Sequence, residues 1–255
     1  PQEEARKGRL PTITVTKTLV PRLQEQTEGS VLAVVPNGIE RREYFREDGA
    51  TRNGIAAVFN SHPNKAWEDL VEVLRRAHAK WPGIRQHVFS TERRPAELEH
   101  VNYTRLPSVD EARAIYNRCK VWILTSRTEG LPGVVLEAMA CGCVVISSDN
   151  DGSLEILRDG ENGVIVRRGD VNGFVEAIGR VFGNEVLAVH LAEGAQRTIE
   201  EFTWERAADK MEAVLECLRS AKQVGSSTAT AGRETIDSSA RSNGSRTWWT
   251  GGCAL

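Results

Sequence analysis

No stretch of this 255-residue sequence reads as a membrane span, because the longest apolar run, 133–148, is interrupted by Glu137 and Gly142. Charge of one sign is missing too. Lys+Arg of 33 against Asp+Glu of 35 leave a formal charge of -2, which removes the general electrostatic case for a nucleic-acid or anionic-membrane partner. Five cysteines, Cys119, Cys141, Cys143, Cys217 and Cys253, make no CxxC pair with metal-ligand spacing. Cys141 and Cys143 flank one glycine in an apolar setting, where buried free thiols are expected, and the odd count suits a reducing cytoplasm. No strand runs into G-x-G-x-x-G, which argues against a dehydrogenase. The charged opening does not read as a signal peptide, and Cys253 stands one position too near the end for a prenylation box. The expected location is cytoplasmic or peripheral at a membrane. Because the chain starts at Pro1 and runs straight into charged sequence, it reads as part of something longer.

With 40% hydrophobic residues the chain can bury a sizeable core. From Ile55 onward, short runs rich in Val and Ile alternate with segments of helical period, which predicts parallel strands joined by crossover helices in an α/β fold. Strands are expected at 55–59, 87–90, 101–106, 121–125, 143–147 and 163–166. The clearest helix spans 66–80, with Trp67, Leu70, Val71 and Leu74 on one face. Others are expected at 111–119, 153–158, 171–182, 185–200 and, after a Thr203 cap, 204–218. Three regions follow: 1–36 as the end of a preceding domain and linker, 37–220 as the main domain, and 221–255 as a disordered tail rich in Ser, Thr, Gly and Ala. Trp248 and Trp249 in that tail read either as a docking peg or as gene-end sequence.

One stretch carries the chemistry: S-R-T-E-G-L-P-G-V-V-L-E-A-M-A-C-G, 126–142. Glu129 follows a predicted strand, which puts it at the carboxyl edge of the sheet, where open parallel sheets bind ligands. Pro132 suits a first helical position, so a helix is expected to begin near Leu131 or Pro132. The free N–H groups of Gly130, Leu131, Gly133 and Val134, with the helix dipole, form an anion site suited to phosphate. Glu137 lies roughly 7 Å further along the helix axis. Carboxylates so separated can grip different parts of an extended phosphate-linked ligand. The plainer alternatives are an ordinary loop acid at Glu129 and, at Glu137, an edge residue with a buried stem and a wet head.

In this order and spacing the segments resemble the retaining glycosyltransferases of the two-domain GT-B fold, in particular family 4 with its E-x7-E signature. Glu129 and Glu137 stand at that spacing. The resemblance covers about 31–218: V-P-N-G-I-E at 35–40 is similar to the family's interdomain crossing, N-K-A-W-E-D-L at 64–70 to its phosphate-lysine segment, and D-G-E-N-G-V-I-V and F-T-W-E to later blocks. It implies a Rossmann-like domain, the carboxyl-terminal half of a GT-B enzyme, that binds a nucleotide-diphosphate sugar without a metal or other cofactor. Implied roles place Glu129 at the donor sugar and Glu137 at the ribose hydroxyls. Lys65 would pair with the diphosphate as a point charge, Gly130 and Leu131 would offer N–H groups, and the loop from Leu106 to Val109 would border the base. One departure concerns the diphosphate: F-N-S-H-P-N-K-A has no arginine ahead of Lys65, and Ala66 stands where glycine is common. His62 fills the arginine's role if protonated, or is a solvated loop histidine; Lys65 likewise has the alternative of a solvated lysine at a helix start.

The implied reaction moves a hexosyl group to a glycan or glycolipid hydroxyl with retention, by attack from the face of the departing diphosphate. Its partners are the sugar donor, the acceptor and an amino-terminal acceptor-binding domain ahead of Asn37, with no nucleic acid. Two rivals stay open. A non-catalytic nucleotide-sugar-binding module would keep the site without turnover, and a sugar-nucleotide epimerase of related architecture would need an acid/base set that the sequence lacks.

Overall fold

A computed structural model describes residues 12–27 and 31–231, with side chains at 12–25 and 31–220. Trp248, Trp249 and Cys253 lie outside the described residues. The chain divides into two compact units between Val214 and Leu215.

In the first unit, strand β1 (Thr12–Thr14), helix α1 (Val20–Thr27) and strand β2 (Val31–Val34) form a small parallel pair. Six strands then build the main sheet: β3 (Gly54–Val58), β4 (Arg85–Ser90), β5 (Asn102–Arg105), β6 (Cys119–Leu124), β7 (Val144–Ser148) and β8 (Val164–Val166). All pair in parallel, in the order β5-β4-β3-β6-β7-β8. That order reverses between β3 and β6, the doubly wound Rossmann-like arrangement. The predicted α/β class and all six strands are present.

Helices cover both faces: α2 (Trp67–Lys80), α3 (Val109–Arg118), α4 (Gly133–Ala140), the short α5 (Asp151–Leu154), α6 (Val171–Gly183) and α7 (Glu185–Ile199). Alternation along the strands divides the core in two. Ile55, Val121, Ile123 and Ile146 face Leu70, Leu74, Phe174 and Ile178 of α2 and α6. Ala56, Trp122, Leu124 and Val145 face Tyr116, Val135 and Met139 of α3 and α4. A strand buried on both sides has no polar face to alternate with, hence the near-continuous apolar runs of the sequence. Each large side chain so buried stabilises the fold by about 1.5–3 kcal/mol.

Local differences from the sequence reading have identifiable causes. Helix α2 buries Leu70, Val73, Leu74 and Ala77, with Trp67 and Val71 only half-buried at its margin. The helix expected at 153–158 lies at Asp151–Leu154, because the Asn150 side chain accepts the Ser153 N–H at 2.9 Å and caps it early. Pro132 is the cap of α4 and not its first residue, with ψ 103°. The last helix, α8 (Trp204–Ala231), continues beyond the boundary expected at 221, so that the segment read as disordered begins as helix. Thr203 caps it, accepting the Arg206 N–H at 3.2 Å.

Candidate functional site

The exits of β3 and β6 flank the crevice where the strand order reverses. After β3, the His62 Nδ1 accepts the Asn64 N–H at 3.2 Å, and Pro63–Lys65 close a 3-10 turn. With Nδ1 accepting, Nε2 is the ring nitrogen left for other partners. Ala66 follows at φ 49°, a left-handed conformation that costs a residue with a Cβ about 1–2 kcal/mol and that glycine adopts freely. After β6, the Thr125 hydroxyl donates to the carbonyls of Lys65 at 3.2 Å and Ala66 at 3.1 Å, and the Arg127 N–H donates to Asn64 O at 2.7 Å. These bonds tie the two exits together.

Lys65 and Glu129 meet across that tie. The Lys65 ammonium donates to both Glu129 carboxylate oxygens, at 2.7 and 2.9 Å, and their side chains are 35% and 10% exposed. The family resemblance implies a separate ligand contact for each; their direct pairing is an addition from the fold. An ammonium has three donors, so Lys65 keeps one beyond this pair.

Sequence reasoning also missed what shapes the Glu129 loop. A Cβ on Gly152 of α5 would stand 2.3 Å from Gly130 O and 2.8 Å from Glu129 O, so only glycine lets this helix support the loop so closely. Beneath it lies a buried polar cluster. The Asn150 amide donates to the hydroxyls of Ser148 and Ser153, and Ser148 donates to Ser126 O. The one signal in sequence is the run of Ser and Asn at 147–153, which reads equally well as a surface turn.

At the start of α4, Val135 N–H is already bonded to Pro132 O at 3.0 Å, whereas Gly133 and Val134 have no carbonyl to donate to, as a first turn requires. Gly130 and Leu131 N–H groups likewise make no backbone bond among the described residues. A Cβ at Gly130 or Gly133 would meet nothing within 4 Å, so the loop borders open space, while the Leu131 side chain is buried and pins the turn to the core.

Glu137 lies on the α3 side of the same helix. The fully buried Tyr116 hydroxyl donates to its Oε2 at 2.7 Å, and Tyr44 packs edge-on to Tyr116 with centroids 6.1 Å apart. Burial pushes the Glu137 carboxyl above its ordinary pKa, and the Tyr116 bond offsets part of this. Burial first, then the Glu137 charge, raises Tyr44 to about 12 and Tyr116 well above the usual tyrosine value. Both phenols therefore stay protonated donors near neutral pH. Neither tyrosine is marked by spacing, since Tyr116 lies 21 positions from Glu137.

At the exit of β5, Leu106 at φ 51° is 58% exposed, and Val109, opening α3 behind a Ser108–Glu111 capping box, is 38% exposed. These two apolar side chains stand at the carboxyl edge of the sheet. Among the described residues, no group of three or more His, Cys, Asp or Glu is placed to hold a metal ion. A 450 Å³ cavity lined by Arg46, Arg52, Lys120 and Gly142, among others, belongs to the opposite, amino edge.

Comparison with known proteins places the chain in a family. The chain is 32% identical over 207 residues to D-inositol 3-phosphate glycosyltransferase of Geodermatophilus obscurus, covering 70% of this chain and 45% of that protein. Its fold is similar to that of sucrose-phosphate synthase from Thermosynechococcus elongatus, with a TM-score of 0.71 at 19% identity over 84% of this chain and 61% of the other. It is likewise similar to Anabaena HepE solved with UDP and glucose, with a TM-score of 0.69 at 16% identity over 80% and 62%. The chain spans between 30% and 48% of the length of the first curated relatives it matches. Residues 52–184, from the entry of β3 to the end of α6 and including Lys65, Glu129 and Glu137, match the family model described as Glycosyl transferases group 1, and the chain belongs to that family.

Proposed function

We propose that this chain supplies the donor site of a retaining, family 4 glycosyltransferase that takes a sugar from a nucleotide-diphosphate sugar to a glycan or glycolipid hydroxyl. The carrying observation is the juxtaposition of Lys65 and Glu129 at the strand-order reversal, beside the unbonded N–H groups at the start of α4. In this reading the diphosphate lies against the N–H groups of Gly130, Leu131, Gly133 and Val134. Lys65 spends its remaining donor on a phosphoryl oxygen while its bond to Glu129 holds it in place. His62 offers Nε2–H where an arginine is absent. Glu129, oriented by Lys65, accepts from donor-sugar hydroxyls, and Glu137 accepts from the ribose hydroxyls on the carboxylate oxygen that Tyr116 leaves free. Leu106 and Val109 border the base.

As the bond between anomeric carbon and phosphate breaks, negative charge grows on the diphosphate. Lys65 and the helix start stabilise that charge without moving a proton. Attack by the acceptor hydroxyl from the same face gives retention, and the departing phosphate is the base nearest its proton. The acceptor-binding residues belong to an amino-terminal domain that, in this reading, ends before Asn37.

Comparison of a nucleoside diphosphate with its parent nucleoside tests the phosphate contacts. The diphosphate is expected to bind the chain more tightly, and Lys65→Ala to cut that preference by about 10- to 150-fold, as one charge-assisted contact of about 1.5–3 kcal/mol implies. An unchanged preference in the variant overturns the role of Lys65.

A further inference from the structure

At the opposite edge of the sheet from the Lys65–Glu129 pair, separated from it by the length of β3, roughly 16 Å for five residues, lies a pocket of about 270 Å³ lined by Thr51, Asn53, Arg85, His87 and Arg118. The fold assembles it from three segments. Thr51 and Asn53 precede β3, Arg85 and His87 stand two apart on β4 and so share a face, and Arg118 ends α3. Backbone pairing fixes their spacing: Arg85 is the register partner of Gly54, and the Asn53 N–H donates to Arg118 O at 3.3 Å.

No carboxylate lines the pocket. Every ion pair among the described residues falls elsewhere, and neither guanidinium makes a side-chain hydrogen bond there. Two arginines without a carboxylate partner, a histidine, a threonine and an asparagine thus line one cavity. Burial and then the charges of Arg118 and Arg85 hold His87 below the ordinary histidine pKa, so its neighbourhood is positive and uncompensated. These residues border a concave volume too small for a nucleotide and ample for one phosphate group.

We propose that this pocket is a second, separate anion site, which binds a phosphate dianion, free or as the head of a small phosphomonoester, through the forks of Arg85 and Arg118 with His87, Thr51 and Asn53 as further partners. Paired forks match phosphate oxygens bidentately, and a doubly charged anion cancels the repulsion between the two guanidiniums. The site is independent of the donor reading, since it shares no residue with it.

The test follows the imidazole resonances of His87 in the full chain by NMR, titrating inorganic phosphate and, separately, glycerol 3-phosphate at constant ionic strength, with sodium chloride and acetate as controls. Saturable shifts of His87 with phosphate or the phosphomonoester, absent with chloride and acetate, are expected; the tighter of the two names the source. Arg85→Gln and Arg118→Gln are each expected to weaken binding about tenfold or more. Both positions are exposed, and unchanged resonances of His78, His100 and His190 report an intact fold. Lys65→Ala is expected to leave the His87 titration unmoved, which separates this site from phosphate bound at the donor site. Shifts equal for phosphate, chloride and acetate, or affinities unchanged in both arginine variants, overturn the proposal.

Discussion

Glu137 joins the proposed function to stability through a single carboxyl group. Burial raises its folded pKa above the unfolded value, so the protonated form is favoured by the fold and the ionised form is penalised. The contribution is therefore fully present below the unfolded carboxylate range of about 4.3 and is lost as pH rises through the folded pKa. Glu137→Gln retains an acceptor for the Tyr116 hydroxyl and removes the charge. It is expected to raise Tm relative to the parent at pH 7–8, by a margin that shrinks toward pH 4, in paired thermal melts. A margin independent of pH contradicts the burial account. Tyr116→Phe removes the donor and leaves the carboxylate less satisfied, so a loss of about 1.5–3 kcal/mol in chemical denaturation at neutral pH is expected. In the Glu137→Gln background that loss is expected to be smaller, because the bond no longer involves a charge. At this scale the sequence marked much of the candidate site. Glu129, Glu137 and Lys65 were legible from spacing and resemblance, whereas Tyr116 and Gly152 were not, because their partners are set by packing between elements distant in sequence.

Among the elements, the short α5 has the largest effect for its length. Its Gly152 lies against the backbone carbonyls of Glu129 and Gly130, and backbone atoms, unlike the end of a flexible side chain, give way to a new methyl only by moving the loop. Gly152→Ala is expected to cost about 1–3 kcal/mol and to weaken nucleotide binding, since the displaced loop carries Glu129. Gly160→Ala is the control. Its φ of 76° strains any residue with a Cβ, but nothing stands within 4 Å of the new methyl, so a comparable loss of stability with unchanged binding is expected. If both variants alter binding alike, the loop-support role of α5 is wrong. Strands and long helices were readable because burial on both faces and a 3.6-residue period leave marks within one segment. The helix 153–158 was misplaced because its start depends on Asn150, whose side chain is recruited by serines of the preceding strand end, a contact without local signature.

For the molecule as a whole, the two-sided core and the site share one cause: a parallel sheet whose order reverses between β3 and β6 must bury both faces and leave a crevice at that reversal. Core burial predicts thiol chemistry. Cys119, Cys141 and Cys143 are buried and free, and burial raises the first two to about 12 and Cys143 well above the ordinary thiol range, whereas Cys217 is exposed. Peptide-resolved alkylation at pH 8 is expected to label Cys217 rapidly and the buried three only at the rate of unfolding; fast labelling of Cys141 contradicts the packing described. Fold class and strand order of events along the chain were legible because alternation of strand and helix is a long-range pattern written locally; the spatial order of the strands, and with it the meeting of Lys65 with Glu129, needed the fold. The central claim is that this crevice takes the diphosphate and ribose of a sugar donor. Its most direct test is calorimetric titration of the chain with UDP, GDP, ADP and dTDP, with and without magnesium. Metal-independent binding of one of them, lost in Glu137→Ala, is the predicted result; binding that survives Glu137→Ala unchanged contradicts the account.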